Sequence, residues 1–253
     1  MSLRAARRIL AARNDATRTN MTGTIINVAA ILIGGTIGLI FGSRIPERFK
    51  HTVIAGMGLF TAAMGLQMFF KSENQLIVLG ALIIGAMLGE WIGIEDWLQA
   101  LGETLEKRFS QDSETGASSR FVRGFMVASL LFCIGPMAIL GSIQDGLTGD
   151  YNLLAVKSTL DGFASIAFAS TLGIGVMFSS VIILIYQGGI SLLAGQFNAI
   201  VTDPMMAEMT ATGGVILMGV AVSNLLELKK IRVGNFLPAL AVAPLIVWIL
   251  SKI

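Results

Sequence analysis

The chain has 253 residues, 54% of them hydrophobic and only 13% charged, with a mean hydropathy of +0.77. A soluble domain carries about 25% charged residues. Composition therefore excludes an ordinary soluble protein, and apolar runs from end to end make this an integral membrane protein in contact with lipid. The net charge of +2 gives no nucleic-acid signature, because the basic residues lie mostly in loops and the N-terminal tail, where they act as topology signals. With a single cysteine (Cys133) and a single histidine (His51) there is no disulfide framework, and no metal centre, cofactor or enzyme activity is expected.

Residues 1–20 form an Arg-rich tail that reads either as a mis-assigned start before Met21 or as a peripheral extension. It lacks the apolar core and cleavage site of a secretory signal. Residues 21–253 read as one all-α domain, a polytopic transmembrane helical bundle. Its first half is about 21–94, an amphipathic helix and linker occupy 95–120, and the second half is about 121–253.

Eight apolar segments are expected, at roughly 22–42, 52–70, 76–94, 121–142, 153–172, 174–195, 207–226 and 234–251. Only "TLGIG" (171–175) separates the fifth from the sixth, and its glycines permit a tight turn. Between the third and fourth, Trp97, Leu101, Leu105 and Phe109 recur near helical spacing. That stretch reads as an interfacial helix or an extension of the third segment, and "SQDSETGASS" after it as a flexible linker.

The two sides of the linker resemble each other. "VAAILIGGTIGLIFGS" (28–43) aligns with "VASLLFCIGPMAILGS" (127–142), and "HTVIAGMGLFTAAMGL" (51–66) with "KSTLDGFASIAFASTL" (157–172). This spacing implies an inverted repeat, a device of secondary transporters. A competing likeness of 80–90 to 213–224 pairs the third and seventh segments in parallel. Loops 43–51, 95–123 and 227–233 hold most of the loop arginines and lysines, which favours termini outside.

Asp161 is the leading candidate for chemistry. Asp161, Ser165, Ala169 and Gly173 make one stripe of small or polar residues at i+4 spacing, so Asp161 faces another helix or a cavity while Thr159 and Phe163 face elsewhere. An ionisable residue at membrane depth is a functional candidate by default. Ser158 and Ser165 are placed to share its load, and Lys157 reads as an interfacial anchor that snorkels outward and neutralises its neighbour.

Gly135 and Pro136 mark a proline kink or a broken helix, which frees the Phe132 carbonyl. With "GGTIG" (34–38) as the repeat counterpart, two broken helices would make a midplane solute site. Gln144 and Asp145 read as a membrane-edge turn or the mouth of a pathway. Asn27, Gln67, Glu90, Gln187 and Asn224 read as polar contacts between helices, with Asn27 the first choice as partner of Asp161. The stripes Gly34, Gly38, Gly42 and Gly85, Gly89, Gly93 argue for tight helix packing or a homo-oligomer face.

Three strings, "MTGTIINVAAILIGG" from Met21, "GPMAILGSIQDGLTGDYNLLAVKSTLDGFASIAFASTLGIGV" from Gly135 and "YQGGISLLAG" from Tyr186, resemble the YdfK/YqgA-like family of bacterial inner-membrane proteins of unknown function. The resemblance covers 21–253 and leaves the tail outside. It implies a multi-pass helical protein of the bacterial inner (plasma) membrane and carries no substrate or site residues. The expected function is a transporter or channel-like protein for an ion or small polar solute, with its site between the two halves near Asp161. The alternative is a non-transporting oligomeric scaffold or a regulator of another membrane complex.

Overall fold

The structure is a computed structural model that describes residues 21–42, 44, 46–109, 115–198 and 201–252. The tail 1–20 lies outside the described residues. The helices in chain order are α1 (Thr22–Gly42), α2 (Glu47–Phe69), α3 (Gln75–Ile92), α4 (Ile94–Phe109), α5 (Thr115–Cys133), α6 (Pro136–Thr148), α7 (Asn152–Leu172), α8 (Gly175–Leu192), α9 (Ala194–Asn198), α10 (Asp203–Val220) and α11 (Ala239–Leu250). A π-helical turn at Ala221–Leu225 prolongs α10, and a 3-10 turn at Val233–Phe236 leads into α11.

Helix ends follow local chemistry. The Asn74 side chain accepts from the Leu76 N–H at the head of α3, and Gly93 closes that helix in the left-handed conformation, φ 74°. The Gly93 break makes α4 a separate helix rather than an extension of α3. Its acidic first turn and basic last turn match the helix dipole. Leu98 is buried and Leu101 and Leu105 pack on the core, but Trp97 is 60% exposed, so the apolar face lies one position away from the expected one. Phe109 falls outside the described side chains. The linker is shorter than expected, since α5 already begins at Thr115. Gly173, at φ 85°, makes the turn between α7 and α8.

Seven helical stretches, namely α1, α2, α3, α7, α8, α10 with its π turn and α11 with the 3-10 turn before it, are each long and apolar enough to cross a membrane. The pair α5 and α6 qualifies together, with a bend of 62° between them. Close approaches settle how that pair runs. Cβ atoms added to Gly34, Gly38 and Gly42 would lie 2.2, 2.4 and 2.5 Å from the carbonyl oxygens of Gly162, Ile166 and Ser170. The partners advance together, so α1 and α7 are parallel. Phe121 of α5 meets Gly175 at the head of α8, and Gly146 of α6 meets Ser191 near its end. Thus α5 and α6 run along α8 in one direction and make one broken crossing. With the bent pair counted as one span, the described residues hold eight candidate crossings, which puts the start of α1 and the end of α11 on the same face.

Among the described residues, the opposite face carries Arg44, Arg48, Lys50, Lys107, Arg108, Arg120, Lys229, Lys230 and Arg232, whereas the terminus face carries Lys71 and Lys252. On the basic face, Arg232 pairs with Glu90 and Asp96, the Asn235 amide donates to Glu90, and the Asn235 Oδ1 accepts from the Glu95 N–H at 2.7 Å. Arg123 donates to the Asn224 carbonyl at 2.6 Å and pairs with Glu227. Glu90 thus ties α3 to Arg232 and Asn235, whereas Asn224 takes part through its backbone carbonyl.

Packing divides the spans into two groups. One holds α1, α5–α6, α7 and α8, the other α2, α3, α10 and α11, with sparse contact between them. The expected halves 21–94 and 121–253 are not the packing units, because α1 leaves its sequence neighbours for α7 and α8. The expected pair of broken helices is also corrected. Helix α1 runs unbroken through Gly34 and Gly38, whose missing side chains serve the close contact with α7 and leave the backbone ladder intact. Both glycine stripes are consumed inside the chain, Gly34, Gly38 and Gly42 against α7, and Gly85 and Gly89 against Ala239 and Asn235. They are not free to form a homo-oligomer face.

Candidate functional site

Helix α7 places Asp161 as the tenth of its 21 residues. The Asp161 Cα is about 14 Å along the helix from Asn152, and its carboxylate reaches back to the level of Asn27, the sixth residue of α1, inside the apolar zone but nearer the terminus face. Asp161 is 7% exposed and Lys157 4%, while Asn27 of α1 and Gln187 of α8 are fully buried. Phe163 and Thr159 point away to the lipid side, as the small-residue stripe requires.

These groups converge. The Lys157 ammonium is paired with the Asp161 Oδ2. The Asn27 Nδ2 donates to the same oxygen at 3.0 Å and to the Gln187 Oε1 at 3.2 Å. The Lys157 Nζ also lies 5.9 Å from the centre of the Phe132 ring. Lys157 is therefore not an outward anchor. It shares the buried face of α7 with Asp161 by i,i+4 spacing, and the last residues of α5 cover it, so its stem has no route to the interface.

The other expected members are placed less directly. Ser158 is buried but its hydroxyl donates to the Leu154 carbonyl at 2.6 Å, and Ser165 is buried one turn beyond Asp161 with no partner among the described residues. Neither is bonded to Asp161. Gly135 is the cap of α6 at the α5–α6 break, with Pro136 as the first helical residue. An added Cβ on Gly135 would touch nothing within 4 Å, and the break borders the pair through Phe132 and Cys133.

Gln144 and Asp145 are helical rather than part of an edge turn, since α6 runs on to Thr148 and Gly149. The Asp145 Oδ2 accepts from the Gly23 N–H at 2.8 Å, and so satisfies an orphan donor at the start of α1. Glu208 of α10 was not singled out by sequence. It is buried, and its carboxylate accepts from the Glu73 N–H, the Asn74 N–H and the Ser72 hydroxyl, each at 2.8 Å. A lone acid in the Met/Ala run "MMAEMTA" was the available signal.

A cavity of about 680 Å³ lies between the two groups, lined by residues such as Cys133, Tyr186, Met205, Met209, Leu240 and Trp248. It is apolar, and Asp161 does not line it. The polar cluster joins α1 of the first sequence half to α7 and α8 of the second, as expected, but it lies inside one packing group and not at the cavity between the groups. Among the described residues, no three His, Cys, Asp or Glu are grouped to hold a metal.

The ion pair on α7 is thus buried and bridged through Asn27 of α1 to Gln187 of α8. A family model described as "Protein of unknown function (DUF554)" matches residues 22–248. The chain belongs to this family. It is 31% identical over 234 residues to the "Uncharacterized membrane protein YdfK" of Bacillus subtilis (strain 168), covering 91% of this chain and 97% of that relative. It is also 31% identical over 221 residues to the "Uncharacterized protein YqgA" of Escherichia coli (strain K12), covering 87% of this chain and 94% of that relative. No solved structure matches the chain. It is a multi-pass helical membrane protein.

Proposed function

We propose that this chain is a transporter or channel-like protein for a proton, a cation or another small polar solute, acting in the plasma (inner) membrane of a bacterium. The observation that carries the reading is the Lys157–Asp161 pair buried within the apolar spans, tied through Asn27 to Gln187. A buried ion pair is a poor source of stability, because apolar residues of similar volume do as well or better. A membrane helix that keeps one uses it for something else. Asp161 is the acceptor, Asn27 and Gln187 hold its orientation, and Lys157 is the counter-charge released when a cation or proton arrives. The concentration of basic loops on one face supports a cytoplasmic position for that face and an outside position for the termini. The relatives are bacterial, which supports the bacterial membrane.

The test is flux in liposomes. Purified protein is reconstituted, a pH or cation gradient and a potential are imposed, and internal pH or cation is followed by dye. Protein-dependent flux is expected, with Asp161→Asn falling to the level of protein-free liposomes and Asp161→Glu retaining part of the rate. Flux that is unchanged in Asp161→Asn refutes the role given to Asp161.

A further inference from the structure

We propose that buried polar side chains on α1, α6 and α8 form a proton pathway from the face carrying the chain termini to the Lys157–Asp161 pair. The proposal rests on the reading of Asp161 given above and adds the route and the occupant.

Six buried polar atoms on these three helices have no hydrogen-bond partner among the described residues. They are Thr24 Oγ1 and Asn27 Oδ1 on α1, Ser142 Oγ and Asp145 Oδ1 on α6, and Gln187 Nε2 and Ser191 Oγ on α8. They fall into two levels. Thr24 lies in the first turn of α1, Asp145 in the last turn of α6 and Ser191 near the end of α8, all at the terminus face. The Gly23–Asp145 hydrogen bond and the contact of Gly146 with Ser191 bring these ends together. Asn27, Ser142 and Gln187 stand one turn deeper on the same helices. The Asn27 Nδ2–H holds the Asp161 carboxylate in place, and water on the free Asn27 Oδ1 and Gln187 Nε2 brings the proton to it.

One turn, three or four residues, rises about 4.5–6 Å. A single water making two hydrogen bonds of about 2.8 Å spans that step. Buried polar atoms left alone are expensive, and a site with two to four polar partners is one that water occupies.

The pathway stops at the pair. On α8 the stripe Ser191, Gln187 becomes Ile183, on α1 Thr24, Asn27 becomes Ile31, and on α6 Asp145, Ser142 becomes Ala138, all three fully buried. Beyond them, the α1 glycines lie directly against α7 carbonyls. The file of polar groups therefore leads toward one face only, and its outer members Thr24, Asp145 and Ser191 are themselves buried.

Proton is favoured over a metal ion by the donor set. Gln187 Nε2 and the Lys157 ammonium are donors and repel a bare cation, whereas a proton relayed by water needs donors and acceptors in alternation. The charged or titratable groups at Asp161 are Lys157 on its own helix and Cys133 at the end of α5; Tyr186 of α8 stands against Cys133, Asp145 of α6 lies at the outer end of the file on the Gly23 N–H, and α1 contributes none. Arrival is H₃O⁺ plus the Asp161 carboxylate giving water plus the carboxylic acid, with Lys157 left as the uncompensated ammonium.

The test uses the full chain with Cys133→Ala, in liposomes of known orientation. Silver ion is added to one face, and residual thiols are titrated after denaturation. Ser142→Cys and Ser191→Cys are expected to be consumed by silver on the terminus face, and Ser179→Cys, on the same α8 stripe but beyond Ile183, to be spared. Protection of Ser142→Cys, or its modification only from the basic face, overturns the route. In parallel, acidifying the terminus face is expected to raise an infrared carboxylic-acid band that Asp161→Asn lacks and Gln187→Leu delays. Absence of that band overturns the proton assignment. Reactive Ser142→Cys and a titrating band without flux would leave the pathway standing and remove the transport reading. Asp161-dependent flux with unreactive Ser142→Cys does the reverse.

Discussion

Replacing Gly34 by alanine tests the seat of α1 on α7. The new Cβ would stand 2.2 Å from the Gly162 carbonyl oxygen, and ordinary contact begins at 3.4 Å, so α1 must retreat by about 1.2 Å. The obstacle is backbone, which no rotamer change can move. Overpacking of this kind costs about 1–3 kcal/mol. At Gly38 the corresponding distance is 2.4 Å, so a helix that has already withdrawn for Gly34→Ala has nearly made room for Gly38→Ala. The two losses are therefore expected to be sub-additive in a double-mutant cycle measured by thermal or denaturant unfolding in detergent. Gly56→Ala is the control, since its Cβ would meet nothing within 4 Å, and it is expected to gain about 0.5–1 kcal/mol from helix propensity. A Gly34→Ala protein as stable as wild type, or losses at Gly34 and Gly38 that simply add, would show that the close approach is not what seats α1.

Lys157→Met strands the Asp161 carboxylate in the interior and is expected to cost about 3–5 kcal/mol, whereas Lys157→Met with Asp161→Asn recovers most of it; equal instability of single and double variants contradicts the pairing. Glu208→Ala removes three charge-assisted hydrogen bonds from the α2–α3 turn and is expected to lower stability by about 3 kcal/mol, with faster amide exchange at Glu73 and Asn74 as the local readout. At α4, burial pushes the Glu95 carboxyl above its ordinary value, against the opposing Gly234 N–H and Arg232 charge. An acid raised on folding contributes stability that is present below its unfolded value near 4.5 and lost as pH rises through the raised value. The melting temperature is thus expected to fall across that window in wild type and to fall less in Glu95→Gln, which keeps an acceptor for Gly234.

The spans were legible because period and length depend on local composition, and the stripe Asp161, Ser165, Ala169 correctly gave the buried face of α7. Asn27 was a legible partner because an amide in an apolar helix needs one. The fate of Lys157 was not legible, since whether a lysine snorkels depends on what covers it, and Phe132 comes from a helix on the far side of a bend. "GGTIG" misled because glycine serves two ends, flexibility and close approach, and only the neighbouring helix decides between them. Asp145 and Glu208 were obscured because each caps a distant helix end, a relation with no sequence spacing.

The seat of α1 also bears on how the chain is made. Gly34 meets Gly162, which lies 128 residues later. At about 5–20 residues per second, α1 waits roughly 6 to 25 s in the membrane before its partner emerges. During that interval its glycine face and the Asn27 amide have no native partner, while α2 and α3 insert beside it and must then give way. A nascent chain halted before Asn152 should leave α1 as bait for insertion chaperones or for degradation, and crosslinking from Asn27 in arrested chains would report who holds it in the meantime.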